Sequence, residues 1–380
     1  MTVAIVGVAE SELGVTHRSI LGLQTEATMR ALDDAGLRLA DVDGVAVAGT
    51  SRFAATQTAD YLGLRPRWSD STFAGGSAFE MYVARAAQAI DAGQCDTVLI
   101  CYGSNQRSAR SRTLSGVLDP HTPEAQFERP YGPLYPISYY AMAAHRYLHR
   151  YGATHEQLAE VAVAAREWAR LNPVAYRYGA RSITASDVLA SPLVSSPLTT
   201  ADCCLVTDGG GAAVLTSLKR ARDLRRPPVV VLGYGESTTH TSMTSAGDII
   251  ATGAAASSDA AFERAGLTPA DVDVAEIYDS FTITVLLSLE DLGFCPPGAA
   301  ADFVAGGRIR PGGEFPLNTS GGGLSYCHPG MYGLLLLVEA VRQLRGECGD
   351  RQVAGAEVAL AHGTGGILST AATVLLGVDR

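Results

Sequence analysis

Apolar residues along this chain fall into short runs that change rhythm from strand-like to helix-like and back. Residues 3–11 read VAIVGVAES and residues 229–237 read VVVLGYGES, each a β-branched run closed by a glycine and then Glu-Ser. A second match follows each of them, ALDDAGLRLADVD at 31–43 and AFERAGLTPADVD at 261–273. The shared Ala-Gly-Leu and Ala-Asp-Val-Asp predict a helix ended by Gly36 or Gly266 at its C′ position. A new N-cap at Asp41 or Asp271 is expected next, and then a strand.

A third correspondence is looser. A small-residue turn at 76, a helix over 78–91 and a strand over 97–102 ending in Tyr-Gly-Ser stand against a Gly-rich turn from 321, a helix over 332–345 and a strand over 357–361 ending in His-Gly-Thr-Gly-Gly. Three matches in one order mark a tandem duplication of a strand–helix–strand–helix–strand unit. The basic, proline-marked stretch from Lys219 to Pro228 is the natural linker, giving an N-terminal half of 1–225 and a C-terminal half of 226–380. Strands alternating with helices imply mixed or parallel sheets with helices on their faces. Two such α/β sheets sharing central helices would stack as a five-layer αβαβα body. Between 104 and 200 the first half carries an insertion without counterpart in the second, with helices expected at roughly 138–151 and 155–171. Its place, where strands end, is where a substrate lid would sit.

Composition narrows the function classes. With 380 residues, 47% hydrophobic, 18% charged and 41 glycines, the chain reads as a globular α/β protein. A formal net charge of −10 argues against a nucleic-acid or anionic-membrane surface. The longest apolar stretch, Gly333-Leu-Leu-Leu-Leu-Val, is interrupted by Glu339 and is too short for a membrane span. Seven cysteines show no metal-ligand spacing, and the first residues read as a strand without a basic signal-peptide region, so reduced thiols in a cytoplasm are expected.

Five stretches carry a family resemblance over essentially the whole chain. They are GPLYPISYYAMAAHRYLHRYG at 132–152, DCCLVTDGGGAAVL at 202–215, IYDSFTITVLLSLEDLG at 277–293, CHPG at 327–330 and HGTGG at 362–366. On these residues the chain resembles the thiolase superfamily, most nearly its sterol-carrier and lipid-transfer branch. The resemblance implies a thiolase fold and acyl-CoA chemistry, and it also shows where this chain departs. A thiolase places a nucleophilic Cys at the start of the helix that begins here near Gly76, where the helix N-terminus favours a thiolate. That position falls on Gly76, with Ser77 beside it; Ser77 either caps the helix or stands in as nucleophile. Relatives carry a His before Asp-x-Phe where this chain has Tyr278-Asp279-Ser280-Phe281, and the second family Cys corresponds to His362. The His of the His-Pro motif is kept as His328.

Exchange of several proton-transfer positions at once implies a change of reaction. The pattern is similar to thiolase-fold retro-aldolases of steroid side chains, which cleave a β-hydroxyacyl-CoA to a ketone and a shorter acyl-CoA and rely on tyrosines. Such cleavage needs a base for the β-hydroxyl, donors for the thioester enolate, and an acid for the α-carbon, but no covalent intermediate. The catalytic candidates are Tyr278, Tyr326 and His328, with Tyr332 as a competitor of Tyr326. A tyrosine, with an ordinary pKa of about 10, acts as a base only if its phenolate is stabilised. Gly76, Ser77, His362, Gly365 and Gly366 are the candidates for substrate and oxyanion contacts, each donor of that kind contributing about 2.7–4 kcal/mol in other enzymes. Arg107, Arg110 and Arg112 either meet CoA phosphates or form a solvated loop.

Two rival functions stand beside this one: an acyltransferase using Ser77 or Cys327, and a non-catalytic acyl-CoA or lipid binder. No bound cofactor or metal is expected, coenzyme A entering as part of the substrate. The resemblance also implies a homodimer joined through sheet edges of the first half, and a small OB-fold, zinc-ribbon partner.

Overall fold

The computed structural model describes residues 2–49, 51–111 and 120–379. Its strands are β1 (Val3–Glu10), β2 (Gly44–Val47), β3 (Trp68–Asp70), β4 (Thr97–Ser104), β5 (Leu193–Ser195), β6 (Leu198–Thr199), β7 (Gly209–Ser217), β8 (Val229–Thr238), β9 (Val274–Ile277), β10 (Val358–Gly365) and β11 (Thr370–Val378). The helices are α1 (Ile20–Ala35), α2 (Ala54–Leu62), α3 (Ala78–Asp91), α4 (Ile137–Tyr151), α5 (His155–Ala169), α6 (Ala185–Leu189), α7 (Leu218–Ala221), α8 (Ala254–Ala265), α9 (Thr282–Asp291), α10 (Ala300–Phe303) and α11 (Gly333–Arg345).

Nine strands run in the order β3-β2-β4-β7-β1-β8-β11-β10-β9, and β5 and β6 form a separate hairpin. The seam between β1 and β8 is only two residue pairs wide, Ala4 with Val230 and Ile5 with Val229. On either side of it lie two half-sheets, each with a parallel pair at its outer edge. Helices α3 and α11 pack against strands of both half-sheets. Both are buried nearly all round: only Arg85, Gln88 and Asp91 of α3, and Arg342 and Arg345 of α11, escape full burial. A helix apolar on every face needs cover on every face, which is why these two form the central layer. Helix α1 covers the outer side of β1, β4 and β7, and α8 that of β8 and β11, completing the five layers.

The repeat is visible at atomic scale. A side chain on Gly7 of β1 would meet the Ala31 carbonyl of α1 at 2.1 Å, and one on Gly233 of β8 would meet the Ala261 carbonyl of α8 at 2.1 Å. The same glycine in each half thus lets its helix lie directly on its strand. Gly36 and Gly266 end these helices in the left-handed conformation, at φ 72° and 66°. Asp41 and Asp271 depart from expectation. Neither is an N-cap; each is the third residue of a short 3-10 turn, and its carboxylate reaches back to accept the N–H of Arg38 or Thr268 at 2.8 Å.

The insertion contributes α4, α5, α6 and the β5–β6 hairpin, with α4 and α5 packed on α9 of the second half. Strand β10 is longer than its apolar run. It stays paired with β11 as far as Gly365 opposite Thr370, so His-Gly-Thr-Gly lies inside the strand and not beyond it. Among the described residues no helix is long and apolar enough to cross a membrane.

Candidate active site

Strand β9 delivers Tyr278 to the junction of the two halves. The Ile277 N–H donates to Asn318 Oδ1 at 2.7 Å and the Tyr278 N–H to the His362 carbonyl at 2.9 Å, which fixes the strand end. Asp279, fully buried, accepts the N–H groups of Gly323 at 2.6 Å and Leu324 at 3.1 Å. Burial pushes its carboxyl up to about 7, against the pull of those two amides. A side chain on Gly322, at φ 62°, would come within 2.1 Å of Asp279 Oδ2, so only glycine lets the loop close here. The Asp279 bonds thereby tie the Tyr278 turn to the loop that carries His328.

The Tyr278 hydroxyl lies 2.9 Å from His328 Nε2 and accepts the Tyr332 N–H at 3.2 Å. Burial raises the Tyr278 hydroxyl well above its ordinary value and pushes the His328 imidazole down to about 4. Near neutral pH both are uncharged, and the arrangement is a phenol donating to an imidazole nitrogen. Removing the substrate's proton through Tyr278 then requires that Tyr278 pass its own proton on to His328. Tyr332 supports this pair from behind: its ring stacks on His328 at 6.2 Å and 21°, and its hydroxyl is held by Ser320 Oγ at 3.0 Å.

Gly76 explains why the pair fits. A Cβ at that position would stand 2.0 Å from Tyr278 Cε2 and 2.6 Å from the Thr364 carbonyl oxygen. The tyrosine ring occupies the volume that a side chain at 76 would need, so a nucleophile there and Tyr278 as placed exclude one another.

Gly75 and Gly76 also meet the turn after β10. The side-chain direction of Gly75 points at Gly365 Cα (2.8 Å) and the Gly366 nitrogen (3.0 Å), so Gly76, Ser77, Gly365 and Gly366 gather beside Tyr278. Ser77 is not a side-chain cap. Its hydroxyl bonds to the Ala74 carbonyl at 2.8 Å and to Thr370 Oγ1 at 2.9 Å, neither of them a group that could activate it as a nucleophile. Ser77→Ala is expected to cost about 1 kcal/mol of stability and to leave turnover unchanged, read by thermal melting and by product formation.

His362 is a correction. Side chains alternate along a strand, and it is Gly363 whose side-chain direction faces α3, 2.8 Å from Ser77 Cα. The His362 imidazole lies on the other face, its Nδ1 2.9 Å from Thr373 Oγ1, which in turn meets Ser257 of α8 at 2.9 Å. Only its carbonyl, which receives the Tyr278 amide, touches the site. Tyr326 stands one ring further back, 6.4 Å from the Tyr332 ring, where the Glu10–Arg342 ion pair influences it. Arg107 and Arg110 are exposed on the turn whose Gln106 reaches the His328 carbonyl at 3.5 Å; Arg112 lies outside the described residues. All seven cysteines are free, and burial pushes each thiol above its ordinary value, Cys327 among them.

Sequence reasoning passed over Asp279, whose acidity in a Tyr-Asp pair reads as solvent-facing until the Gly323 and Leu324 amides are seen. It also passed over Glu80, signalled by one acid inside the apolar run Ala78 to Val83.

A duplicated five-layer fold whose central helix α3 is preceded by Gly75 and Gly76, next to a buried tyrosine–histidine pair, defines a thiolase-fold protein without the thiolase nucleophile. The family model for a thiolase C-terminal domain-like region matches residues 235–378. The 17-hydroxy-3-oxo-4-pregnene-20-carboxyl-CoA lyase of Mycobacterium tuberculosis is 39% identical, over 95% of this chain and 96% of its own. The steroid side-chain-cleaving aldolase of Thermomonospora curvata is 37% identical, over 99% and 98%. A solved structure of an Ltp2-ChsH2(DUF35) aldolase superposes with a TM-score of 0.91 at 33% identity, covering 100% of this chain and 98% of that one. The chain belongs to the thiolase superfamily, in the branch that includes the steroid side-chain-cleaving aldolases.

Proposed function

We propose that this protein is a carbon–carbon lyase that cleaves a β-hydroxyacyl-CoA by a retro-aldol reaction to a ketone and a shorter acyl-CoA. The observation that carries the reading is the Tyr278 hydroxyl, fixed between His328 Nε2 and the Tyr332 amide in the space Gly76 leaves open. A covalent acyl-enzyme has no seat there, whereas a neutral proton relay does. The β-hydroxyl gives its proton to Tyr278 as Tyr278 gives its own to His328. The carbon–carbon electrons pass to the thioester as an enolate, for which the amides of Gly76 and of Gly365–Gly366, gathered beside Tyr278, are the candidate donors. The site is almost closed to water, which strengthens each of these interactions.

The relatives support a steroid substrate. The name 17-hydroxy-3-oxo-4-pregnene-20-carboxyl-CoA describes a thioester with its hydroxyl on the β-carbon, the arrangement a retro-aldol step requires. Coenzyme A enters with the substrate, and the exposed Arg107 and Arg110 beside the His328 loop suit its phosphates. The Ltp2 relative was solved with a ChsH2(DUF35) partner, which supports a partner protein for this chain; the small OB-fold, zinc-ribbon protein that the resemblance implies is the candidate. The exposed aromatics Phe53, Tyr61 and Phe73, in the segments flanking edge strand β3, suit the expected homodimer.

The test is to incubate the protein, with and without such a partner, with 17-hydroxy-3-oxo-4-pregnene-20-carboxyl-CoA and with smaller β-hydroxyacyl-CoAs, and to identify products by mass. A ketone and a shorter acyl-CoA in equal amounts are expected. Binding without cleavage in every arm would leave a non-catalytic acyl-CoA binder.

A further inference from the structure

The relay through Tyr278 disposes of the hydroxyl proton but supplies none to the α-carbon. The structure holds a second proton-bearing group at the same junction. Glu80 lies one turn along α3 from Gly76, is 1% exposed, and is the one buried carboxyl among the described residues with both oxygens unpaired. Its place is made by two more glycines. A side chain on Gly363 would meet Glu80 Oε2 at 2.2 Å, and one on Gly333, the first residue of α11, would meet Oε2 at 2.7 Å and Oε1 at 2.9 Å. The Gly333 direction also reaches the Gly76 carbonyl at 2.1 Å. Glu80 therefore fills the site-facing position of β10 as the Tyr278 ring fills that of Gly76.

An unpaired buried acid is destabilising, and a Leu or Met would fill this space at less cost. The surrounding run, Ala78 to Val83, is otherwise apolar, so packing alone gives no reason for a carboxyl. We propose that Glu80 is the general acid of the reaction, donating its proton to the α-carbon as the carbon–carbon bond breaks. This rests on the retro-aldol reading.

The step balances. The β-hydroxyl proton passes to Tyr278 and the Tyr278 proton to His328. The bond pair between the α- and β-carbons becomes the enolate, and the Glu80 proton forms the new α-carbon–hydrogen bond. The enzyme is left with an imidazolium and a carboxylate, and a proton moving from the first to the second resets both. Burial holds Glu80 up to about 8, its own backbone amide being the one group that favours the charged form, so it carries its proton at neutral pH. Other ionisable groups on the elements packed around it are engaged elsewhere. Arg85 of α3 pairs with Asp70 and Tyr82 of α3 donates to the Thr72 carbonyl, while Glu339 of α11 pairs with Arg351, Arg342 with Glu10 and Arg345 with Asp34; His362 of β10 faces α8, and the Tyr278 hydroxyl is engaged by His328 and the Tyr332 amide.

Proton return is tested separately from cleavage by incubating the protein with propionyl-CoA in D2O and following α-deuterium by mass. Wild type is expected to exchange, with a rate that rises as pH increases through about 8, where Glu80 becomes the base. Cleavage, which needs the acid form, falls over the same range. Glu80→Gln keeps the shape, and it is expected to lose both activities by about 10²- to 10⁴-fold with unchanged melting. Wild type that cleaves without exchanging at any pH overturns the proposal, whether or not the variant folds. So does a folded Glu80→Gln that exchanges at the wild-type rate. Exchange without cleavage of any β-hydroxyacyl-CoA supports Glu80 and sinks the retro-aldol reading instead.

Discussion

Tyr278→Phe is expected to lower kcat for β-hydroxyacyl-CoA cleavage by about 10²- to 10⁴-fold, the range that a positioned proton-transfer group contributes. The ring stays in the volume left by Gly76, so packing against the start of α3 is retained. What disappears is the oxygen that joins His328 Nε2 at 2.9 Å to the Tyr332 amide at 3.2 Å. Both of those groups are buried and lose a partner, at a stability cost of about 1–3 kcal/mol. The loss falls on kcat more than on KM, because the hydroxyl acts on charge that develops only as the bond breaks. A folded Tyr278→Phe protein with near-normal turnover would remove Tyr278 from the chemistry.

Gly76→Cys, which restores the sulfur of a thiolase, is expected to destroy activity and not to create a nucleophile. The new Cβ would stand 2.0 Å from the Tyr278 ring and 2.6 Å from the Thr364 carbonyl. Overpacking a rigid core costs about 1–3 kcal/mol or more, and the flexible partner in this clash is the Tyr278 ring. Its displacement breaks the bond to His328, so cleavage should fall to the level of Tyr278→Phe. Adding Tyr278→His removes the ring and recovers part of the lost melting temperature, without recovering cleavage. Thermal melts of the single and double variants, with intact-mass measurement after exposure to acyl-CoA, check this. Wild-type melting and turnover in Gly76→Cys would show that Tyr278 does not occupy that space.

Local signals carried much of the fold. Gly36 and Gly266 stop equivalent helices because glycine takes the left-handed conformation freely. Gly7 and Gly233, embedded in matching apolar runs, mark the same helix–strand contact in each half. The strand–helix alternation implied central helices shared by two sheets, and the burial of α3 and α11 on nearly every face identifies them as those helices. The missing thiol at the head of α3 was also legible, and with it the need for a different reaction.

The site itself turned on distances between residues remote in the chain. Counting along HGTGG put His362 in the place of the second family Cys, but the pairing of β10 with β11 turns the imidazole away and presents Gly363 instead. A slip of one residue in a strand moves a side chain to the opposite face, and apolar periodicity does not resolve it where the neighbours are glycine. Tyr332 reaches Tyr278 through its amide, a group every residue but proline possesses, so its identity carried no clue. Sequence by itself determined the duplicated scaffold, because caps and periodicity are local, and the motif resemblance marked the absent nucleophile and singled out Tyr278 as a candidate. Only tertiary structure decided that Tyr278 and Glu80 stand where glycines leave room. An empty volume beside a glycine belongs to whichever distant side chain packs into it.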